Sequence, residues 1–134
     1  MALCEADYIS RDRRIVAGAF LPEAYIEHPS QRIRAYRMLC SAGDSAEVER
    51  VLAGWRDFHG SQIPQPALNL AVIQRIRIKA AEKGLRHVEV QDERVKMKRR
   101  DGEFIQILGK FPRLNLFKTP EERLEILERM MESM

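Results

Sequence analysis

Histidine, cysteine and acidic side chains are the residues of this chain that could support catalysis or bind a metal, but their spacing favours neither. His28, His59 and His87 lie far apart in the sequence, whereas zinc ligands usually occur in pairs a few residues apart. A nucleophilic thiol needs a neighbouring base, and two successive antiparallel helices could bring Cys40 close to His59. No loop able to form an oxyanion hole is recognisable beside this pair. We therefore predict no catalytic residue and no metal site.

The glycines do not form a phosphate-binding loop. Such a loop needs closely spaced glycines whose N–H groups wrap the anion, followed by a lysine and a hydroxyl side chain. Gly54 and Gly60 are separated by the bulky Trp55 and Phe58, so their spacing reflects a helix rather than a loop. No ATPase or helicase motif is present, and we predict that the chain is not an enzyme and needs no cofactor.

Asp57 is an isolated acid near the predicted C-terminal end of a helix. An isolated carboxylate without a partner indicates little about catalysis. A negative charge at this end of a helix is mildly unfavourable because it opposes the helix dipole. A salt-bridge partner, within the chain or across an interface, would account for its presence.

Basic residues are concentrated between residues 71 and 110, although the formal net charge is only +3. They fall on a predicted helix and on a predicted hairpin: Arg75, Arg77 and Lys79, then Arg94, Lys96, Lys98, Arg99 and Arg100. Phe104 is the one aromatic residue nearby, so a contact with nucleic acid would be mainly to phosphate and would weaken steeply with salt. A free-standing basic module that binds nucleic acid is therefore one of two hypotheses for the function of the chain, and it is kept as the alternative.

Length and composition indicate a single globular domain. The chain has 134 residues, of which 45% are hydrophobic and 32% charged. No uncharged apolar run reaches the ~20 residues of a membrane-spanning helix, and the N-terminus lacks the basic start and apolar core of an export signal. Cys4 and Cys40 are too few for a disulfide framework. We expect a soluble, cytoplasmic protein that does not contact membranes.

Capping residues and helical periodicity predict four helices. The first extends from an N-cap at Ser30 to Gly43, and the second begins with a capping box formed by Asp44 and Glu47 and ends at Gly60.

The third helix opens at residues 64–66 and ends at Gly84, and the fourth has Thr119 as N-cap and Pro120 at its first position. Apolar residues at i, i+3 and i+4 spacing supply the predicted core of the first three helices: Ile33, Tyr36, Leu39, Trp55, Leu68, Val72 and Ile76.

After Gly84 the apolar residues alternate with polar ones, which predicts strands. Residues 88–90 and 95–97 mark two strands, and 104–108 forms a third after an Asp-Gly turn. We therefore predict an α+β fold in which three to four helices pack on a small antiparallel β-meander, with a C-terminal helix. A short apolar run at 15–20 could add a strand.

Four short motifs, in order along the chain, resemble one known family. They are Leu21-Pro22-Glu23-Ala24-Tyr25-Ile26, Arg32-Ile33-Arg34-Ala35-Tyr36-Arg37-Met38-Leu39, Trp55-Arg56-Asp57-Phe58-His59-Gly60 with Pro64, and Glu82-Lys83-Gly84-Leu85. Through them the chain resembles the C-terminal domain of the bacterial transcription-repair coupling factor. We accordingly predict one domain over 1–134, with an N-terminal extension or strand at 1–19, the family-like core at 20–116 and a C-terminal helix at 119–134.

The resemblance implies a regulatory domain without chemistry of its own. The parent proteins of this family are ATP-driven DNA translocases that displace stalled RNA polymerase and recruit the nucleotide excision-repair machinery. Their C-terminal domain folds back on a domain resembling the excision-repair helicase component and hides the surface that recruits the damage-recognition ATPase. The expected partner is this helicase-like domain, in the same or a related coupling factor, and the expected role is an autoinhibitory lid.

The family motif E-L-I-D-R-F-G-x-x-P carries two acids implicated in that contact. Asp57 and Gly60 match its D and G, whereas Gly54 stands in place of the E, residues 58–59 replace R-F, and one residue is inserted before Pro64. The contact is therefore expected to be altered or lost, and a fragment of a translocase and a free-standing chain both fit the sequence. The expected partner interface comprises Gly54, Arg56, Asp57 and His59.

Overall fold

The computed structural model describes residues 7–10, 18–91, 94–106, 112–113 and 119–133. Its elements in chain order are β1 (Asp7–Ser10), α1 (Pro29–Cys40), α2 (Ser45–His59), α3 (Gln65–Glu82), β2 (Leu85–Gln91), β3 (Arg94–Arg99) and α4 (Pro120–Ser133). The predicted α+β fold class is confirmed, and all four predicted helices are present. No helix within these ranges has the length and apolar character needed to cross a membrane.

Helix α1 begins slightly before its predicted start. Its N-cap is His28, whose side chain makes no capping hydrogen bond, and Pro29 lies in the first turn, where a missing N–H costs nothing. The prediction of Ser30 as N-cap is therefore wrong. Two hydrogen bonds connect α1 to the preceding segment: the Arg32 guanidinium donates to the carbonyl oxygens of residues 26 and 27, at 2.8 Å each.

The buried face of α1 differs from the predicted one. Ala35 and Leu39 are buried, whereas Ile33 and Tyr36 are 53% and 48% exposed. The prediction of Ile33 and Tyr36 as core residues is wrong, because α1 packs through a narrow strip centred on one alanine and one leucine. A strip this narrow leaves the larger apolar side chains outside the contact.

Helix α2 starts at the predicted capping residue. The backbone N–H of Glu47 donates to Asp44 Oδ1 at 2.7 Å, and the Glu47 carboxylate accepts from the Gly43 N–H at 3.1 Å. The helix ends at Gly60, whose φ of +132° is accessible to glycine and strained for other residues. Its buried residues are Val48, Leu52 and Trp55.

Helix α3 is the centre of the fold because two separate cores pack on it. Ile76 and Ala80 belong to one core and Ala71 and Ile78 to the other. A helix that is apolar on more than one face is stable only when it is covered on more than one side. Of the predicted stripe, Ile76 is fully buried, whereas Val72 is partly buried.

The sheet-side core lies between α3, the sheet and α4. Its buried members are Ile76, Ala80, Leu85, Val88, Val90, Val95, Met97, Leu124, Leu127 and Met131. The helix-side core lies between α3, α1, α2 and the segment before α1. Its buried members are Ile26, Ala35, Leu39, Ala42, Val48, Leu52, Trp55, Ala67, Ala71 and Ile78.

Two buried amides of α3 connect it to its neighbours. Gln74 Nε2 donates to the carbonyl oxygens of Ala42 at 2.9 Å and Cys40 at 3.3 Å, which satisfies carbonyls at the end of α1. Asn69 Nδ2 donates to the Gly18 carbonyl at 3.2 Å and to Glu121 Oε1 at 3.1 Å. Each amide therefore fixes a segment that is distant in sequence.

The sheet has the strand order β1-β2-β3, with β1 parallel to β2 and β2 antiparallel to β3. The predicted strands at 88–90 and 95–97 are confirmed. Of the predicted third strand at 104–108, the first residues pair antiparallel with β3: Phe104 forms an isolated bridge with Lys98, and the Ile105 N–H donates to the Met97 carbonyl oxygen at 2.8 Å. The described residues 104–106 do not form a regular strand, and 107–108 lie outside the described residues. The third strand of the sheet is β1, which lies within the range 1–19 that was predicted as an N-terminal extension or strand. Of the run at 15–20, residues 18–20 are not a strand, and 15–17 lie outside the described residues.

Helix α4 is capped as predicted and packs on α3. The Glu122 N–H donates to Thr119 Oγ1 at 3.2 Å, and Leu124, Leu127 and Met131 are buried. Lys79 on α3 pairs with Glu128 at 3.2 Å and also with Glu132, while Arg75 lies 3.6 Å from both Glu49 on α2 and Glu128. Met134, predicted to extend the apolar stripe, lies outside the described residues.

The burial of α1 predicts unequal effects of two substitutions in the same helix. Leu39→Ala should lower the free energy of unfolding by about 2–5 kcal/mol, because it leaves a cavity in the helix-side core. Ile33→Ala should lower it by less than about 1 kcal/mol, because Ile33 is already half exposed. Urea unfolding followed by tryptophan fluorescence measures both values. Equal losses would contradict the assignment of the buried face.

The pairs between α3 and α4 predict a pH-dependent contribution to stability. The hydrogen bond and charge of Lys79 lower the pKa of Glu132 below its ordinary value of 4.5. Burial lowers the pKa of Lys79, but hydrogen bonds with Glu132 and Glu128 outweigh it and raise that pKa above 10.5. The contribution of Glu132 is therefore present above pH 4.5 and lost as the pH falls through its lowered pKa.

Glu132→Gln should consequently be less stable than the wild type at neutral pH and equally stable once the medium is acidic enough to protonate Glu132. Glu125→Gln is the matched control on α4, because Glu125 is exposed. Urea unfolding of all three proteins at neutral pH and well below pH 4.5 measures the difference. A Glu132→Gln deficit that does not change with pH would show that the Lys79 pair contributes nothing.

Candidate partner interface

The C-terminal half of α2 carries the four residues predicted to contact a partner. Trp55 is buried and anchors this segment, so its neighbours Arg56 and Asp57 face solvent. The Tyr25 hydroxyl lies 3.0 Å from the Trp55 carbonyl oxygen and 2.9 Å from that of Gly60. The segment before α1 thereby holds the end of α2 in place.

Asp57 is exposed and forms no ion pair within the described part of the chain. Phe58 beside it is 84% exposed, the highest value among the large apolar side chains described. The helical stripe of Val48, Leu52 and Trp55 continues to position 59 rather than 58, so the sequence contained a signal that Phe58 would point outwards. Together Asp57 and Phe58 present one charge and one aromatic ring to solvent.

The other predicted contact residues differ in their environments. Gly54 is half-buried, and a Cβ atom added there would meet nothing within 4 Å. His59 packs edge-on against the Tyr25 ring, with centroids 5.9 Å apart. Burial raises the pKa of Tyr25, and the charge of Arg56 partly opposes that rise.

Cys40 and His59 lie at opposite ends of the α1–α2 pair. Cys40 is the last residue of α1, next to the connection, whereas His59 is the last residue of α2, about 21 Å along the helix axis. The structure therefore does not bring this thiol and imidazole together. Cys40 interacts with Tyr36 instead: a hydrogen bond with Cys40 raises the pKa of Tyr36, and partial burial adds to the rise. Within the described residues, no three metal-ligating side chains cluster.

The basic hairpin places its charges on the outer face of the sheet. Lys96 and Lys98 alternate with the buried Val95 and Met97, and Arg94 follows the same alternation. Glu89 lies opposite Lys96 in the β2–β3 register, so this face carries both signs of charge.

The remaining basic residues have distinct surroundings. Arg99 is exposed, and Arg100 lies in the turn after β3. Lys98 Nζ lies 6.0 Å from the centre of the Phe104 ring. Arg75 and Lys79 of α3 are engaged in ion pairs with α2 and α4, so they contribute to packing.

A groove between α1 and α2 has no counterpart in the sequence predictions. Its volume is about 900 Å³. Ile33 and Met38 line it, and they are 53% and 54% exposed. Arg34, Arg37 and Arg50 also line it. In the sequence, Ile33, Arg34 and Arg37 fall on one face of the predicted helix, and this was the available signal for the groove. Helical periodicity alone, however, does not distinguish an apolar face that packs from one that stays exposed.

A family model and a solved structure both relate this chain to the same family. The chain is similar in fold to a solved structure described as "Crystal structure of C-terminal domain of transcription-repair coupling factor", with a TM-score of 0.59 and 19% identity. The alignment covers 69% of this chain and 54% of that one, so the chain spans about half of the solved relative. No curated protein matches. The model of the TRCF domain matches residues 15–109, which is most of the chain, and the chain therefore belongs to the TRCF domain family.

Proposed function

We propose that this chain is a regulatory protein-interaction domain of a transcription-repair coupling factor. The observation that carries the proposal is the pairing of Asp57, exposed and without an ion pair in the described part of the chain, with the exposed Phe58 beside it. The position of Asp57 corresponds to an acid that the family motif assigns to partner contact. The proposed partner is the domain resembling the excision-repair helicase component, in the same or a related coupling factor.

The proposed role is that of an autoinhibitory lid on this helicase-like domain. A lid must bind well enough to hide a surface and weakly enough to leave when another event favours the open state. An interface built on one carboxylate and one aromatic ring at the end of a helix is small and partly polar, as interfaces between movable domains commonly are. This role requires the chain to reside with DNA in the cytoplasm.

The absence of an acid at position 54 is expected to weaken the proposed contact. The family motif has an acid at this position, and this chain has none there. The contact therefore rests on Asp57 and Phe58, which favours an easily opened lid. Because a Cβ at position 54 meets nothing within 4 Å, the backbone there accepts a Cβ atom, and Gly54→Glu introduces the acid of the motif.

Substitutions at these positions test the proposed partner directly. Asp57→Ala should weaken binding to the purified helicase-like domain about tenfold or more, because a hydrogen bond to a charged group contributes about 1.5–3 kcal/mol. Gly54→Glu should strengthen the same binding. Isothermal titration calorimetry gives the affinities, with Glu125→Ala as a control at an exposed acid on a different helix.

Two results would count against the proposal. One is that the wild-type chain and Gly54→Glu both fail to bind the helicase-like domain. The other is that Asp57→Ala binds as tightly as the wild type. Far-UV circular dichroism of each variant establishes that a loss of binding is not a loss of fold.

A second candidate function is binding of nucleic acid by the outer face of the hairpin. The observation that favours it is the placement of Arg94, Lys96 and Lys98 on one face of β3, whose core-facing residues are Val95 and Met97. Glu89 lies on the same face, which weakens attraction to a polyanion. Direct contacts there would be to phosphate.

Fluorescence anisotropy with a labelled single-stranded oligonucleotide distinguishes this candidate. If the hairpin binds phosphate, Lys96→Glu with Lys98→Glu should abolish binding, and affinity should fall steeply between low and physiological salt. Glu89→Gln should strengthen binding, because it removes the opposing charge. Binding that is absent at low salt, or that is unchanged by the two lysine substitutions, would exclude the hairpin as a nucleic-acid site.

A further inference from the structure

The groove between α1 and the first half of α2 combines apolar and cationic lining. Ile33 and Met38 expose more than half of their surface there, and Val51 lines the groove while packing partly buried against the helix-side core. Apolar side chains of this size on a helix surface lose their contact with water only when another molecule covers them. The groove therefore has an apolar surface that the fold itself leaves unused.

Three arginines give the groove a positive charge. Arg34, Arg37 and Arg50 line it, and none of them forms an ion pair with a carboxylate in the described ranges. Glu47 is the one acidic residue in the lining among the residues that the structure describes, and its carboxylate accepts a hydrogen bond from the Gly43 N–H at the start of α2. The charge that the groove offers to an incoming molecule is consequently positive.

The lining restricts what can occupy the groove. A second copy of this chain docked by the same face would oppose arginines with arginines, which electrostatic repulsion disfavours. Nucleic acid could contact the arginines through its phosphates, but it would leave Ile33 and Met38 without a partner, because bases stack on aromatic rings and these side chains are not aromatic. An amphipathic protein segment satisfies both features, because it presents apolar side chains to Ile33 and Met38 and carboxylates to the arginines.

We propose that the groove binds an amphipathic helical segment of a partner protein whose apolar face is flanked by Asp or Glu. Helix α1 has 12 residues, about 18 Å of helix, which matches a segment of about three turns with anchors at i, i+3, i+4 and i+7. The inference rests on the protein-interaction role proposed above and adds the chemistry of the bound segment.

Along α2, the groove is continuous with the surface formed by Asp57 and Phe58. Arg50, Gly54 and Asp57 are spaced i, i+4 and i+7, so they share one face of the helix. A partner that spans both regions has to present a carboxylate near Arg50 and a cation near Asp57. The two regions nevertheless differ in charge, so each can be tested by itself.

Synthetic peptides test the groove by fluorescence anisotropy. The probe is a labelled helical peptide with Leu at i, i+3, i+4 and i+7 and Glu on either side of this stripe. The wild-type chain should bind it, and Arg37→Glu and Met38→Glu should each weaken binding at least about tenfold, equivalent to about 1.4 kcal/mol. Both side chains are exposed, so these variants should fold. Arg86→Glu, at an exposed site on β2, is the matched control and should bind as the wild type does.

Three further ligands identify what the groove recognises. A scrambled peptide of the same composition should bind weakly, because it has no continuous apolar face, and a peptide with Lys in place of Glu should bind more weakly than the acidic one. Equal binding of the scrambled peptide, equal binding by Arg37→Glu and Met38→Glu, or no binding to the wild type would overturn the proposal. So would tighter binding of a single-stranded oligonucleotide that Arg37→Glu abolishes, because it would assign the groove to nucleic acid.

Asp57→Ala separates this inference from the proposed function. It should leave the affinity for the acidic peptide unchanged while weakening capture of the helicase-like domain. Peptide binding that is retained while Asp57→Ala has no effect on capture would reject the lid contact and keep the groove. Peptide binding that is absent while Asp57→Ala weakens capture would reject the groove and keep the lid contact.

Discussion

The need to cover α3 on two sides determines the arrangement of the other elements. Ile76 and Ala80 face the sheet and α4, whereas Ala71 and Ile78 face α1 and α2. Leaving either set in water would cost about 25 cal/mol for each Å² of apolar surface. Each neighbouring layer therefore buries one face against α3 and keeps its opposite face exposed. The exposed face of the α1–α2 layer is where the candidate interface and the groove both lie.

Small residues at these contacts explain why large apolar groups remain outside. Ala35 and Ala42 on the α1 side and Ala67 and Ala71 of α3 all belong to the helix-side core. Closely approaching helices leave little volume between them, and a packed interior does not accept additional side-chain volume without strain. Ile33 lies on the face of α1 that these contacts leave uncovered, although it is as apolar as the core residues.

Local signals in the sequence were sufficient for the helices and for strands β2 and β3, and insufficient for β1 and the choice of buried face. Asp44 and Thr119 were identified as caps because a cap interacts with residues only three positions away. Strand β1 pairs in parallel with β2, which lies far from it in the sequence. Two parallel strands are not joined by a tight turn, so no local turn signal predicts their pairing. Asp57 was located by its motif, whereas the exposure of Ile33 depends on which face of α1 the rest of the fold covers.

The mixture of charges on the outer surface favours a protein partner over a polyanion. Along α2, the cation of Arg50 and the carboxylate of Asp57 lie two turns apart, about 10 Å, and on the sheet Glu89 lies opposite Lys96. A nucleic acid offers one sign of charge everywhere, so it gains from the cations and is repelled by the acids. A protein surface can match both signs in register, and electrostatic complementarity of this kind selects partners more than it strengthens binding. For the proposed lid role, in which the domain covers one particular surface and releases it, selectivity with modest affinity is the useful combination.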